Sequence, residues 1–315
     1  RRGAIYHVTN RTYRGELRLA PDDIVNMFAE GCLAKAARIY GVRIFVFIVM
    51  GNHFHLLVAV PLYNLDCFME YFQRELSWRL NRYRGTSGTN FPTRYQSEEI
   101  ASVADFEDVI ARILCNPVRA RLVGTPEQWP GVSSLQMHNA GQSSRRVLHA
   151  TRTHAEAIAQ DGVTPELRRS LEPLELELSA PPFWEDLEPE DVQSRIADLV
   201  SAEQSRLQEI LERGNERVVG PNRILKETSD QRPDNLHWRG HRRVISKNSE
   251  YEAKYHAWYI EMRRRYRRSA RRWRHERKWS DYPAGTFPPG WRRCVRPSRR
   301  TGPRLPWQPP ALHAA

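Results

Sequence analysis

Apolar and polar positions recur along the first part of the chain in an order that predicts its elements. Ala4 to Thr9 reads as a first strand. Asp22 to Tyr40 reads as a helix, because Ile24, Met27, Phe28 and Cys32 fall on one side at helical spacing. The near-continuous apolar run from Val42 to Met50 suits a central strand covered on both faces. Gly51 and Asn52 then turn the chain into a hairpin partner, His53 to Val60. There His53, His55 and Leu57 share one face, while Phe54, Leu56 and Val58 share the other. Asn64 is placed to cap a helix whose stripe of Leu65, Phe68, Met69, Phe72, Leu76 and Leu80 runs on to Tyr83. Residues 84–90 read as loop. Ser102 and Asp105 open a further helix carrying Phe106, Val109, Ile110 and Ile113, which Asn116-Pro117 bends or ends.

Beyond Leu135 the pattern weakens. Residues 136–164 are polar and poor in large apolar side chains, so a linker or exposed excursion is expected there. Val192, Ile196, Leu199, Val200, Leu207, Ile210 and Leu211 then trace an amphipathic helix, punctuated by Gly214. A second long helix starts near Asn248 with Tyr251, Tyr255, Trp258, Tyr259 and Met262 at helical spacing, and Pro283 stops it. The expected organisation is an α+β domain over 1–135, the linker over 136–164, a mostly helical DNA-binding extension over 165–290, and a disordered Pro- and Arg-rich tail over 291–315.

Charge narrows the function class. The 315 residues carry 49 Lys and Arg against 37 Asp and Glu, a net +12 that favours polyanionic partners, nucleic acid first. The surplus concentrates in the last long helix, where Arg263 to Lys278 is mostly arginine, whereas Glu172 to Glu212 is rich in acids. Arg264, Arg268 and Arg272 can meet phosphates, and the interleaved Tyr266, Trp273 and Trp279 can stack on unpaired bases. The competing reading is a solvated basic helix paired with the acidic Glu172 to Glu190 stretch. Apolar runs are too short to span a membrane, so no membrane role is expected. The four cysteines, Cys32, Cys67, Cys115 and Cys294, form no CxxC pair, which signals neither a zinc site nor a disulfide framework. The chain opens at Arg1 without a methionine or an apolar signal core, so an upstream stretch and a cytoplasmic, nucleoid-associated protein are expected.

Candidate chemistry centres on His53-Phe54-His55. Alternation on a strand sets the two imidazoles on one face about 6.6 to 7 Å apart, a separation that can hold one ion, although such a pair standing alone reads as a mere polar face. It does not stand alone. The segments Tyr6-His7-Val8-Thr9-Asn10-Arg11, Val49 to Val58, Phe91-Pro92-Thr93-Arg94-Tyr95 and Asn116-Pro117-Val118-Arg119-Ala120 occur in this order. Together they resemble the IS200-like tyrosine transposases, in particular the REP-associated branch with its pattern YHVTNR, LMPNHFHLLV, GRY and YxxxNPVRAGLV. The resemblance covers Arg1 to Ser134, including Trp129-Pro130-Gly131-Val132, and extends more weakly to Phe287-Pro288-Pro289.

That resemblance implies an HUH-type core, ferredoxin-like or RRM-like, that nicks and rejoins single-stranded hairpin DNA from a repeated palindrome during transposition, as a homodimer. It implies Mg²⁺ or Mn²⁺ held by His53, His55 and Asn116, with a helix-borne tyrosine attacking the phosphate. The metal stabilises charge on the transferring phosphoryl group, and the phosphotyrosine conserves bond energy for rejoining. Arg11, Arg82, Arg94 and Arg119 lie within or beside the matching blocks and are expected to touch the DNA backbone.

The departure is at the nucleophile. The family's tyrosine lies five residues before the proline of NPVRA, a position held here by Arg112. A guanidinium stays protonated, so it binds phosphate but cannot attack it. The bland reading of Arg112 is a surface residue paired with Asp108. Gly51 replaces the family's usual proline, and Arg121 replaces a glycine suited to positive φ. Cleavage is therefore expected to be impaired. The alternatives are a domesticated, non-catalytic hairpin-DNA binder, and a nuclease whose metal activates water with no covalent intermediate.

Overall fold

The computed structural model describes residues 4–62, 64–233, 243–276, 282–283 and 286. Its centre is a β-α-β-β-α-β unit: β1 (Ile5–Arg11), α1 (Asp23–Tyr40), β2 (Arg43–Val49), β3 (His53–Ala59), α2 (Leu65–Arg84) and β4 (Gln96–Ile100). The sheet order β2-β3-β1-β4 is ferredoxin-like, and each of these neighbours pairs antiparallel. α3 (Val103–Leu114), α4 (Asn116–Arg119), α5 (Leu135–Asn139), β5 (Ser144–His149), α6 (Arg152–Asp161), α7 (Pro165–Ser170) and β6 (Glu172–Glu177) follow. Then come α8 (Pro189–Arg213), α9 (Pro221–Ile224), β7 (Val244–Ile245) and the basic helix α10 (Ser249–Glu276). β7 joins the free edge of β4 in parallel, so the sheet is mixed rather than wholly antiparallel.

Alternation sends the two faces of the sheet to two cores. Val8, Phe54, Leu56 and Val58 meet α1 and α2 on one face. Ile5, Leu57, Ala59 and Ile100 meet α3 and α8 on the other. β2 lies at the sheet edge, not at its centre as its apolar run implies. A bulge between Ile44 and Val46 turns both Phe45 and Val46 toward the α3 side, which breaks the alternation. Its outer edge is covered, since Phe47 O accepts from Ser134 N at 2.9 Å, Val49 N donates to Val132 O at 2.8 Å, and Ile44 O accepts from Ser179 N at 2.7 Å.

Caps follow the sequence at two helices. Asp22 accepts from Val25 N at 2.7 Å and Ser102 from Asp105 N at 3.2 Å. Asn64 does not cap α2 with its side chain, which donates to Tyr40 O at 2.8 Å and ties the helix start to the end of α1.

Residues 136–164 are not a linker or exposed excursion. β5 and β6 form a two-stranded antiparallel sheet laid on α1, and Met137, Val147, Ala155 and Ile158 are buried in the α1–α2 core. Part of the extension expected over 165–290 is likewise built into the domain, because Leu174 and Leu176 of β6 join that core and Ile196, Val200 and Leu207 of α8 bury against the α3 side. Among the described residues no helix is long and apolar enough to cross a membrane. Trp279, Phe287-Pro288-Pro289 and the 291–315 tail lie outside the described residues.

Gly31 shows how close β5 approaches α1. A Cβ there would meet Leu148 O at 2.5 Å and His149 Cα at 2.9 Å, both backbone atoms that cannot swing aside. Gly31→Val is expected to lower stability by about 1 to 3 kcal/mol through overpacking. A variant with the wild-type denaturation midpoint would contradict that packing.

Candidate functional site

Strand pairing assembles the site. Thr9 lies opposite His55 and Arg11 opposite His53, so His7, Thr9 and Arg11 of β1 share a face with the two histidines of β3. β4 adds Glu98, opposite His7. This face is apolar at the far end of the sheet, where Ile5, Leu57 and Ala59 pack, and polar at the near end.

His53 Nδ1 donates to Asn52 Oδ1 at 2.7 Å, which leaves its Nε2 with a lone pair. The His53 and His55 rings stand edge to face with centroids 4.9 Å apart. His55 Nε2 lies 2.9 Å from Asn116 Nδ2, and its Nδ1 lies 2.9 Å from His7 Nε2. His7 Nδ1 in turn donates to Glu98 Oε2 at 3.1 Å, and the His7 and His55 rings stack at 5.1 Å. Burial, then the Arg11 guanidinium, push the His53 imidazole down to about 3. Burial takes His55 well below the ordinary imidazole range, with His53, His7, Arg112 and Arg11 acting in the same sense. Burial also lowers His7 against the opposing bond to Glu98, so its contact with that carboxylate is a neutral hydrogen bond rather than an ion pair. All three rings are neutral at physiological pH, so each has one nitrogen that carries a lone pair.

α3 supplies the other side. Phe106, Val109, Ile110, Ile113 and Leu114 bury its apolar stripe against the sheet, which fixes its rotation. The helix breaks at Cys115, and Pro117 starts the short α4. Arg112 is half-buried one turn before Asn116, and its charge acts on both His7 and His55. Asp108, the partner the sequence offered Arg112, is bonded by Lys247 Nζ at 2.6 Å. A groove of about 490 Å³ runs from Arg112 between α3, α8 and β7 past Arg119, Arg206 and Lys247, with Glu203 bonded by both Arg119 and Arg206. Arg121 takes the positive φ of +61° that a glycine would adopt more easily. It closes a Schellman turn in which Leu122 N donates to Pro117 O at 2.9 Å.

The predicted site residues divide into five places, Arg119 lying in the groove just described. His53, His55, Asn116, Arg112 and Arg11 come together on the histidine face. Arg94 is exposed in the segment before β4, its guanidinium 5.6 Å over the Tyr95 ring, and Asn10 Nδ2, on the opposite face of β1 from the histidines, ties that segment to the strand through Thr93 O at 2.9 Å. Arg82 lies on α2, against the opposite sheet face, where it pairs with Glu156 at 3.0 Å. Arg264, Arg268 and Arg272 are exposed along α10, and Trp273 is half-buried. α10 is anchored by Tyr255, whose hydroxyl donates to Glu99 Oε2 at 3.1 Å. Glu99 alternates with Glu98 and faces away from the histidines, so Tyr255 sits on the wrong side to reach them. The acidic stretch finds its partners in the core, with Glu172 bonded by Lys35 and Arg38 and Glu185 by Arg43.

Sequence reasoning missed the roles of His7 and Glu98. His7 stands in the first block, two residues from Thr9 in strand alternation, and only the pairing of β1 with β3 shows that it faces His55. Among the described residues, no group of three or more His, Cys, Asp and Glu is arranged to hold a metal. The candidate ligands His53, His55 and Asn116 are two imidazoles and an amide.

No protein-family model matches the chain, and no curated protein matches it. A solved structure of a REP-associated tyrosine transposase bound to a REP hairpin is similar to 44% of this chain and 79% of that one, with 18% identity and a TM-score of 0.38. A likeness that loose speaks to neither activity nor ligand.

Proposed function

We propose that this chain is a transposase-like DNA-binding protein that recognises folded single strands at the histidine face and lacks the covalent tyrosine step. One observation carries the reading: three of the four blocks, from β1, β3 and the α3–α4 junction, meet on the histidine face, while the fourth is tied to the opposite face of β1. Arg11 pairs with His53, Asn10 bonds Thr93, and Asn116 bonds His55.

The two neutral imidazoles fit a divalent cation with their nitrogen lone pairs, whereas Asn116 turns its amide nitrogen to His55 Nε2 at 2.9 Å and would offer its carbonyl oxygen only once the amide turned over. His53, His55 and Asn116 would hold Mg²⁺ or Mn²⁺, which when bound supplies charge stabilisation at a phosphoryl group. Arg11 and Arg112 flank these ligands and can bind the phosphate oxygens of a strand laid across them. Arg112 occupies the nucleophile's place without its chemistry, because its guanidinium has no lone pair to donate at working pH. Arg112 thus favours a domesticated binder over an active transposase. The Tyr255 hydroxyl, bonded to Glu99 on the other face, offers no substitute.

The test is binding of end-labelled hairpin single strands, compared with unfoldable strands of the same composition, in Mn²⁺. Tighter binding of the hairpin is expected, and equal binding of the two sets would sink the reading. The exposed arginines of α10 add a salt-dependent share. Replacing Arg264, Arg268 and Arg272 together with glutamine is expected to lower the slope of log affinity against log salt by about 2 to 3. An unchanged slope would mean that α10 does not meet the phosphates.

A further inference from the structure

A file of four hydrogen-bonded side chains crosses the sheet, from Asn116 through His55 and His7 to Glu98. Its polarity follows from its last member. A carboxylate only accepts, so His7 has its proton on Nδ1. The Nε2 of a neutral His7 is then a lone pair, and the His55 nitrogen facing it, Nδ1, must be the donor. His55 Nε2 is left as a bare acceptor, which the amide nitrogen of Asn116 satisfies. The opposite polarity would require Asn116 to accept from His55, His55 from His7, and His7 from a protonated Glu98.

We propose that His7 and Glu98 are positioning residues that lock His55 in its Nδ1–H tautomer and so leave the lone pair on Nε2, which the Asn116 amide nitrogen occupies here and a metal ion beside His53 would take when that amide turns. This rests on the metal-binding reading above. His53 reaches the same tautomer independently, because its Nδ1 donates to Asn52 Oδ1 at 2.7 Å. Two adjacent rings are therefore set alike by two unrelated acceptors, one a neighbouring amide and the other a carboxylate reached through a third ring. A merely structural strand has no need of this arrangement. His7 is 5% exposed, and the positions that continue its face, Ile5 and Leu57, are filled by apolar side chains. An apolar residue at position 7 would bury more cheaply than an imidazole that needs two partners. Outer partners of this kind fix ring orientation and raise ligand basicity in metal sites.

The experiment uses the full chain with ¹⁵N-labelled histidine, free of metal, and reads the ring tautomers from long-range ¹H–¹⁵N correlations. Wild-type His55 is expected as the Nδ1–H form, and an Nε2–H form would overturn the proposal with no variant needed. In Glu98→Gln the amide can donate as well as accept, so His55 is expected to become a mixture of tautomers. Mn²⁺ affinity, measured by calorimetry, is expected to fall about 10- to 100-fold. A Glu98→Gln protein with wild-type tautomer and affinity would also overturn it. A wild type that binds no Mn²⁺, yet whose His55 tautomer depends on Glu98, would refute the metal reading and leave the positioning role supported.

Discussion

Arg112→Tyr is expected to form a covalent protein–DNA adduct on hairpin single strands in Mn²⁺, where the wild type binds without reacting. On the proposed reading this is the nucleophile's position. It lies one turn before Asn116 on a helix whose rotation is fixed by five buried side chains, and its charge already acts on His7 and His55. A tyrosine there would direct its hydroxyl to the same face. Removing a catalytic nucleophile costs about a millionfold in the best-measured case, so restoring one is expected to be the difference between no band and a band on a denaturing gel. A wild-type adduct as strong as that of the variant would show that residue 112 is not the nucleophile's place. A variant that folds, binds the hairpin and forms no adduct would refute the assignment as well.

The histidine face was legible because alternation is a local rule. His53 and His55 fall on one side of β3 whatever strand pairs with it, and the helix of Arg112 and Asn116 announces itself through Ser102, Asp105 and its apolar stripe. What could not be read is pairing. His7 becomes a partner of His55 only through the β1–β3 register, and Glu98 only through β4. β2 reads as central because its edge is closed by Val132, Ser134 and Ser179, segments far along the chain that cover it as a neighbouring strand would. The misreading of residues 136–164 has another cause. β5 holds its place with few apolar side chains, using Val147, an Arg145–Glu30 ion pair and the buried His149, so a hydrophobicity scan passes over it. Its partner β6 does alternate, with Leu174 and Leu176 buried, but Glu175 between them and Glu172 and Glu177 on either side read as an acidic run. β7, only two residues long, leaves no pattern to find.

Arg79→Met is expected to be the most destabilising single change in the α1–α2 half of the molecule, at roughly 3 to 5 kcal/mol, because it strands a buried carboxylate. Arg79 is 2% exposed and joins α2 to the β5 end with all three guanidinium nitrogens. Nη1 donates to the Glu75 carboxylate at 2.9 Å and the Glu75 carbonyl at 2.8 Å, Nε to Ala150 O at 2.7 Å, and Nη2 to His149 Nε2 at 3.2 Å. Without it, Glu75 keeps Arg152 at 2.9 Å, an arm that is itself half in solvent. The pH dependence gives the prediction a second edge. Burial pushes the Glu75 carboxyl up, and bonds from Arg152 and Arg79 overcome it to bring the group down to about 2. A depressed carboxyl stabilises the fold above its ordinary value near 4.5 and loses that contribution as pH falls toward 2. Burial, then Arg79, lower His149 to about 4 against the opposing pull of Glu172. The unfolded chain therefore takes up that proton first, and stability falls between about 6.5 and 4. Methionine at position 79 removes a cause of both shifts, so the variant has less to lose in acid. The gap between wild type and Arg79→Met, measured by denaturant unfolding at pH 7.5, 5.5 and 4, is expected to narrow as pH falls. A gap that stays constant or widens would mean that Arg79 acts through packing alone, with its charge irrelevant to Glu75 and His149.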